Sequence, residues 1–250
     1  MLSRIIQRSA IHTRTTTPRV LRRKIDAPRP FSTVLPDLPT PMNAKDGSRI
    51  EAWAKQSELE KIQDFKGHIQ PKLDGWRVML HLHTCTFVTK GGKLIVPADG
   101  STMHDAIQSF AASIQKSDNG TIETQWIDGE LMHADGRDRL QHCLVSTDVT
   151  VLEDITFNAF DLVNDCSFEQ RHSLLQEAHK EAHRLNSENG SICLVPTERF
   201  HHNGTISDLK DVMVKHGKEF AAMGHEGAML RLDPGVGKID KGYQGGMFTY

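Results

Sequence analysis

The chain has 250 residues, a formal charge of −2, and 38% hydrophobic residues. This composition allows one large globular domain and excludes a wholly disordered or strongly polycationic chain. No apolar run approaches the roughly 20 residues that a membrane-spanning helix needs, so we expect no membrane insertion. The four cysteines form neither a CxxC pair nor a dense disulfide framework, which predicts a reducing compartment.

The charge is unevenly distributed along the chain. The first 31 residues hold eight basic residues and one acid, which leaves 22 basic and 31 acidic residues, a charge of −9, for the remainder. The arginine-rich, acid-poor segment Met1–Ser32 predicts a mitochondrial transit peptide, and Arg29–Ser32 resembles a matrix-processing site. A basic tail that binds nucleic acid or nothing is the alternative. We therefore expect residues 1–43 to be a transit peptide and a proline-containing linker, and the protein to reside in the mitochondrial matrix.

From residue 44 onward, predicted helices and strands are interleaved. Helices are indicated by apolar residues three or four positions apart and by capping pairs at Ser57 and Glu60 and at Ser167 and Gln170. The predicted helices are Ser57–Asp64, Met103–Lys116, Ser167–Asn186 and Asp208–Ala221, and the predicted strands lie within Ile69–Val88 and over Ile155–Val163. Because no regular βαβ period is present, this order favours an α+β fold with antiparallel sheets.

A lysine followed by an Asp-Gly pair is the first candidate for chemistry, in the stretch Lys72-Leu73-Asp74-Gly75-Trp76-Arg77. A lysine amine is a nucleophile only when deprotonated, which nearby cations or desolvation can promote. Gly75 permits backbone conformations closed to other residues, and Arg77 can present a planar fork to phosphate oxygens. A surface hairpin with solvated charges is the alternative for this stretch alone.

The stretch resembles the Lys-x-Asp-Gly-x-Arg motif of the covalent nucleotidyltransferases, which include DNA ligases, RNA ligases and capping enzymes. Five further stretches of the sequence resemble later motifs of that superfamily and follow one another in the same order as those motifs. They are Val88–Lys93, Ile127–Leu131, Phe157–Leu162, Phe168–Leu174 and Glu226–Arg231. Each stretch alone could be a turn, a core strand or a helix end, but the shared order argues against coincidence. The sequence Met-Leu-Arg after Glu226-Gly227 is most similar to small phage and bacterial DNA ligases.

The resemblance implies a nucleotidyltransferase (ATP-grasp-like) adenylation domain over residues 44–250, with antiparallel sheets flanked by helices. Lys72 would be the catalytic residue that carries AMP, and Phe160 would stack on the adenine. The implied nucleotide-binding residues are Lys72, Arg77, Lys90, Glu130, Phe160 and Glu226. The implied metal residues are Glu130, Asp161 and Glu226, with Mg²⁺ as the expected ion. Lys90 stands where the family usually has an arginine.

The implied activity is that of an ATP-dependent DNA ligase, which transfers AMP from a lysine to a 5′-phosphate and seals nicks during DNA replication and repair. ATP and Mg²⁺ would be required, nicked double-stranded DNA would be the partner, and the protein would be a monomer. The alternatives are an RNA ligase, a capping-type nucleotidyltransferase, or a truncated, non-catalytic remnant that binds a nucleotide or a nick.

Two features depart from the family pattern or lie outside it. The family continues after Arg231 with a Leu-Lys-x-Lys strand, called motif V, and an oligonucleotide-binding barrel. Lys238 and Lys241 do not match motif V, so we expect a chain cut off before it and a missing barrel. Separately, His81, His83 and Cys85 alternate and could place three zinc ligands on one strand face, although an ordinary strand surface is the favoured interpretation.

Overall fold

A computed structural model describes residues 39, 45–46, 64–117, 126–145, 152, 154–185, 190–232 and 247–249. All of them belong to one compact unit, Pro39–Tyr250. Three predictions lie outside the described residues. They concern the transit peptide, the helix capped by Ser57 and Glu60, and the segment that contains Lys238 and Lys241.

The described part of the chain contains four helices, α1 (Thr102–Ser117), α2 (Arg137–Val145), α3 (Phe168–Leu185) and α4 (Ile206–Ala222). Three of them were predicted to within a few residues. The predicted pair at the start of α3 is present, because the backbone N–H of Ser167 donates to the Gln170 side chain at 3.1 Å and the backbone N–H of Gln170 donates to the Ser167 hydroxyl at 3.3 Å. Such reciprocal bonds satisfy donors that the first helical turn cannot pair internally.

Eleven strands occur among the described residues. They are β1 (Lys45–Asp46), β2 (Asp64–Lys72), β3 (Trp76–His81), β4 (Thr86–Thr89), β5 (Leu94–Ile95), β6 (Trp126–His133), β7 (Ile155–Leu162), β8 (Ile192–Leu194), β9 (Glu198–Asn203), β10 (Gly227–Leu232) and β11 (Met247–Thr249).

The strands form two sheets, with the orders β1-β11-β10-β2-β9 and β5-β4-β3-β6-β7-β8. Neighbouring strands are antiparallel except for the pairs β1–β11 and β7–β8. The predicted α+β class with mainly antiparallel sheets is therefore confirmed, and neither sheet closes into a barrel in the described part of the chain.

The main hydrophobic core lies between the six-stranded sheet and helices α1 and α3. The apolar spacing of α1 buries Ile107, Phe110 and Ile114, and that of α3 buries Leu175 and Ala178. A separate, smaller cluster joins the other sheet to α4 through Ile69, Phe220 and Ala228. Burial of one large apolar side chain contributes about 1.5–3 kcal/mol relative to leaving it exposed, so these contacts hold the helices against both sheets.

Strand register aligns the predicted site residues. In the five-stranded sheet, Lys72 lies opposite Gly227 and Gln70 lies opposite Met229. In the six-stranded sheet, Arg77 lies opposite Glu130. Residues two apart along a strand share a face, so Gln70 and Lys72 point the same way from β2.

Several local predictions need correction. Helix α2 was not predicted, because its 9 residues bury only Leu140 and Leu144 and so show little apolar periodicity. His201 and His202 lie in β9. Asp128 to Glu130 lies within β6 and not in a turn. No helix of the described residues is long and apolar enough to cross a membrane.

Candidate active site

Residues from both sheets line one cavity of about 640 Å³. Its volume falls within the range of about 300–1,000 Å³ that is typical of small-molecule sites. All six predicted nucleotide-binding residues line it: Lys72, Arg77, Lys90, Glu130, Phe160 and Glu226. They come from positions up to 154 residues apart in the sequence, so the fold brings the predicted motifs together in one place.

Lys72 ends strand β2 beside Glu226. The backbone N–H of Glu226 donates to the Lys72 carbonyl oxygen at 2.9 Å, which continues the β2–β10 pairing by one residue. The same neighbours form a side-chain ion pair between Lys72 Nζ and Glu226 Oε2. The two side chains are 36% and 31% exposed, so the amine is held by a carboxylate yet remains accessible to a ligand.

Arg137 adds a second cation to Glu226. Its Nη1 atom lies 3.6 Å from Glu226 Oε1 and 2.9 Å from Asp74 Oδ1. Arg137 is the first residue of α2. The Glu226 carboxylate thus lies between a lysine and an arginine, and the Asp74 side chain of the Lys72 motif is tied to α2.

Glu130 lies beside the turn that follows Lys72. The backbone N–H of Gly75 donates to Glu130 Oε1 at 3.0 Å. A Cβ atom at Gly75 would lie 2.4 Å from the Leu131 oxygen and 2.7 Å from Glu130 Cγ. Gly75 is not among the residues with positive φ, so the wider conformational range of glycine is not used here. The glycine is required for close approach to β6 instead.

Burial raises the pKa of Glu130 to about 7. The Gly75 hydrogen bond and the charges of Arg77 and Lys72 act against this shift, while the neighbouring Asp128 carboxylate adds to it. Desolvation disfavours the charged form of a carboxyl group, and here it outweighs the favourable partners. A positively charged ligand or ion at this position would therefore bind more strongly to Glu130 at higher pH.

Arg77 and Phe160 form the next part of the wall. Arg77 donates to both oxygens of the buried Asp128, at 3.0 Å from Nε and 2.5 Å from Nη2. The Arg77 guanidinium carbon lies 5.5 Å from the centre of the Phe160 ring. Bidentate pairing fixes the plane of the guanidinium, so it is held beside an aromatic surface on which a base could stack.

The turn after β4 supplies the exposed basic edge of the cavity. Thr89, Lys90, Gly91 and Lys93 line it there. The backbone N–H of Gly92 donates to the Thr89 carbonyl at 2.8 Å, and Lys93 Nζ contacts the Leu144 carbonyl in the last turn of α2. Lys90 is exposed, which places its charge where a phosphate could reach it.

Asp161 does not line the cavity, unlike the other predicted site residues. It is fully buried and accepts hydrogen bonds from Arg171 Nε at 2.7 Å, from Arg171 Nη2 at 2.9 Å and from Arg231 Nη1 at 2.6 Å. Both carboxylate oxygens are occupied by guanidinium groups. The geometry therefore places Asp161 as a structural anchor behind the site and does not support its predicted role as a metal residue.

No group of three or more His, Cys, Asp or Glu side chains suited to a metal ion occurs among the described residues. The two acids that do line the cavity, Glu130 and Glu226, fit a magnesium ion only if phosphate and water oxygens complete its octahedron, which is its usual mode beside nucleotides. The alternating His81, His83 and Cys85 form no metal group either. His81 and Cys85 are buried, His83 is exposed, and His81 Nδ1 pairs with Thr84 Oγ1 at 2.8 Å.

Several cavity residues were not assigned from the sequence, among them Gln70, Lys93, Arg137 and Val195. Gln70 had a weak signal, since it precedes the nucleophile by two residues on the same strand face. Lys93 closes the family-like stretch Val88–Lys93, but no role was assigned to it. Arg137 and Val195 had no signal, because their place on the cavity wall depends on contacts between segments far apart in the sequence.

No family model matches the sequence, and no curated protein matches it. Among solved structures, the chain is similar to Pmar-Lig_Pre., at 17% identity and a TM-score of 0.55, over 84% of this chain and 46% of that one. It is also similar to a protein from a structure–function analysis of Lig E DNA ligases, at 17% identity and a TM-score of 0.50, over 85% of this chain and 68% of that one.

The chain spans less than half the length of the first of these proteins. At such low identity the likeness concerns the fold. Two mainly antiparallel sheets and flanking helices give this chain the α+β fold of these ligase structures.

Proposed function

We propose that this protein is an ATP-dependent polynucleotide ligase whose Lys72 carries AMP, and that its substrate is nicked double-stranded DNA. The observation that carries the proposal is the meeting of the Lys72 amine, the acids Glu226 and Glu130, the cation Arg77 and the Phe160 ring in one cavity. These are the groups that a nucleophilic attack on a nucleotide phosphate requires: an amine, a proton acceptor, phosphate-binding charge and a surface for the base.

In the proposed first step, Lys72 Nζ attacks the α-phosphorus of ATP. A nitrogen–phosphorus bond forms, the bond from that phosphorus to the bridging oxygen breaks, and pyrophosphate leaves. The amine must lose a proton, and the Glu226 carboxylate in contact with Nζ is placed to accept it. Positive charge around the phosphates comes from four cavity residues, Arg77, Lys90, Lys93 and Arg137.

In the next two steps a DNA 5′-phosphate oxygen displaces Lys72 from AMP, and a 3′-hydroxyl then displaces AMP and seals the strand. A bound Mg²⁺ would supply charge neutralisation for the phosphates, and Glu130 and Glu226 are the residues that would hold it. The chain's own contribution is position: Lys72 is fixed at a strand end, and Glu226 is fixed to it by backbone and side chain.

The test of the proposal is covalent labelling. The protein is incubated with ATP labelled at the α-phosphate and separated by denaturing electrophoresis. We expect a labelled band that Lys72→Ala and Lys72→Arg abolish, since a guanidinium does not deprotonate near neutral pH. Lys66→Ala is the matched control, because Lys66 is a 52% exposed lysine of the same strand that lies outside the cavity lining.

The DNA preference is a finer proposal, supported by the resemblance of Glu226–Arg231 to small DNA ligases and by the structural likeness to a Lig E DNA ligase. Nicked DNA and nicked RNA duplexes of the same sequence would be compared in single-turnover sealing assays with adenylated protein. Preferential sealing of the DNA nick is expected. Preferential sealing of RNA would favour an RNA ligase, and a covalent GMP adduct would favour a capping-type enzyme.

Mitochondrial targeting is likewise proposed, on the basis of the acid-poor, arginine-rich segment Met1–Ser32. A fusion of residues 1–45 to a fluorescent protein should enter mitochondria and be shortened near Ser32. If the same fusion remains uncleaved and stays in the cytosol, or accumulates in the nucleus, the targeting proposal is contradicted.

A further inference from the structure

Gln70 is a buried polar residue on the cavity wall. It lies two residues before Lys72 on the same face of β2 and is only 2% exposed. Its amide has two donor hydrogens on Nε2 and an acceptor oxygen, Oε1. Which of these atoms faces a ligand decides what kind of ligand edge the residue can bind.

The partners of Nε2 fix that orientation. Nε2 donates to Thr197 Oγ1 at 2.8 Å and lies 3.5 Å from the Phe160 carbonyl oxygen. Thr197 Oγ1 in turn donates its one hydrogen to the Val195 carbonyl at 3.1 Å. With that hydrogen committed, the hydroxyl accepts from Gln70. A flipped amide would bring its oxygen against the Phe160 carbonyl and would compete with Val195 for the hydroxyl hydrogen, so the orientation with Nε2 toward Thr197 is favoured.

The Thr197 loop is itself anchored. The backbone N–H of Val195 donates to the Ala159 carbonyl at 3.0 Å, which ties the loop to β7 one residue before Phe160. Thr197 is not among the cavity-lining residues, so it acts on the cavity through Gln70. Within the described part of the chain, Gln70 Oε1 accepts no hydrogen bond, and it is the one polar atom of this side chain left to a ligand.

We infer that Thr197 is a positioning residue that makes the cavity selective for a purine with a 6-amino group. This rests on the proposed function, in which the base stacks on Phe160 beside Gln70. The 6-amino group of adenine donates to the fixed Oε1 atom. The 6-oxo group of hypoxanthine or guanine would instead place a second acceptor against Oε1, and an unpaired polar contact of this kind weakens binding.

The sharpest probe pair is ATP and inosine triphosphate, because their bases differ only at position 6 and the adjoining N1. Binding of both would be measured by calorimetry for the wild type, Thr197→Val and Thr197→Ser, each checked for folding by thermal melting. The wild type should prefer ATP by about tenfold, the worth of one hydrogen bond. In Thr197→Val the Gln70 amide is free to turn, so the preference should shrink to about threefold or less. Thr197→Ser should retain it.

An unchanged preference for ATP over inosine triphosphate in Thr197→Val would overturn the inference. So would an equal fall in the affinity for both nucleotides, or a Thr197→Ser variant whose preference is as small as that of Thr197→Val. If Thr197→Val does not fold, Thr197→Ala removes the same hydroxyl with less bulk and must show the same reduced preference. Equal binding of both nucleotides by a wild type that forms the covalent adduct would overturn this inference alone. Selective ATP binding without an adduct would overturn the proposed function alone, and no binding of either nucleotide would overturn both.

Discussion

The molecule contains two kinds of acidic residues near one another. Asp128 and Asp161 are fully buried, and both carboxylate oxygens of each accept hydrogen bonds from arginine. Glu130 and Glu226 line the cavity, are only partly buried and keep access to a ligand. The motifs of the sequence contain all four, yet only the second pair can bind a substrate or an ion without breaking an existing ion pair in the core.

The difference shows that the partners of a carboxylate, and not its motif, decide its role. A buried acid with complete arginine pairing contributes to stability, since removal of one partner leaves an uncompensated charge in the core. An acid at a cavity wall with incomplete pairing is available for chemistry. The following variants, from the largest expected effect to the smallest, test this division.

Asp161→Asn should be the most disruptive change. It replaces the carboxylate that the buried Arg171 and Arg231 share with a neutral amide, and the free energy of unfolding should fall by about 3–5 kcal/mol. Urea denaturation measures this loss. The control is Glu169→Gln, which breaks the exposed pair with Arg199 and should cost less than about 1 kcal/mol. Equal effects of the two variants would contradict the assignment of Asp161 as a structural anchor.

Glu130→Gln tests the raised pKa. Because the folded-state pKa is about 7 against 4.5 for the ordinary group, the folded protein binds an extra proton between these pH values. The wild type should therefore lose stability relative to Glu130→Gln as pH rises from about 4.5 to about 7, by up to about 3 kcal/mol, and no further above that. Unfolding curves recorded with a chelator present measure this. A difference that does not vary with pH would contradict the shift.

Glu226→Gln should slow formation of the AMP adduct while leaving the stability of the fold nearly unchanged. The amide keeps the shape of the side chain but removes the charge that pairs with Lys72 and the proposed proton acceptor. Adduct formation should slow on the order of 100-fold, equivalent to about 2.7 kcal/mol, while the melting temperature changes little. Glu219→Gln, at an exposed surface ion pair on α4, should leave adduct formation unchanged. A normal rate in Glu226→Gln would remove Glu226 from the chemistry.

Arg137→Ala should have the smallest effect. Its side chain is 52% exposed, so loss of the contacts with Asp74 and Glu226 should lower stability by less than about 1 kcal/mol. ATP affinity should fall by about fivefold, because one cation leaves the cavity wall. Arg137→Lys keeps the charge and should recover most of the affinity. Full ATP affinity in Arg137→Ala would show that Arg137 does not contribute to nucleotide binding.

The sequence predicted what local pattern can encode. Apolar spacing identified α1 and α3, the Ser167 and Gln170 pair marked the start of α3, and the Lys72 to Arg77 motif identified the turn between β2 and β3. The convergence of Lys72, Glu130 and Glu226 followed only from the family resemblance, since nothing local brings β2, β6 and β10 together.

What the sequence could not predict depends on long-range pairing. Arg137 belongs to a short, mostly exposed helix with little apolar periodicity, so neither α2 nor its contact with Glu226 was visible. Thr197 reaches Gln70 across 127 residues. Asp161 sits in a motif, but its role is set by Arg171 ten residues on and Arg231 seventy residues on, which bury it.

The central claim is that Lys72 is the nucleophile, and the most direct test identifies the modified atom. Wild-type protein would be incubated with ATP and Mg²⁺, digested under conditions that preserve a nitrogen–phosphorus bond, and its peptides analysed by mass spectrometry. We predict AMP on the peptide that contains Lys72 and on no other lysine. AMP on Lys90 or Lys93, which share the cavity, or the absence of any adenylated peptide, would contradict the account.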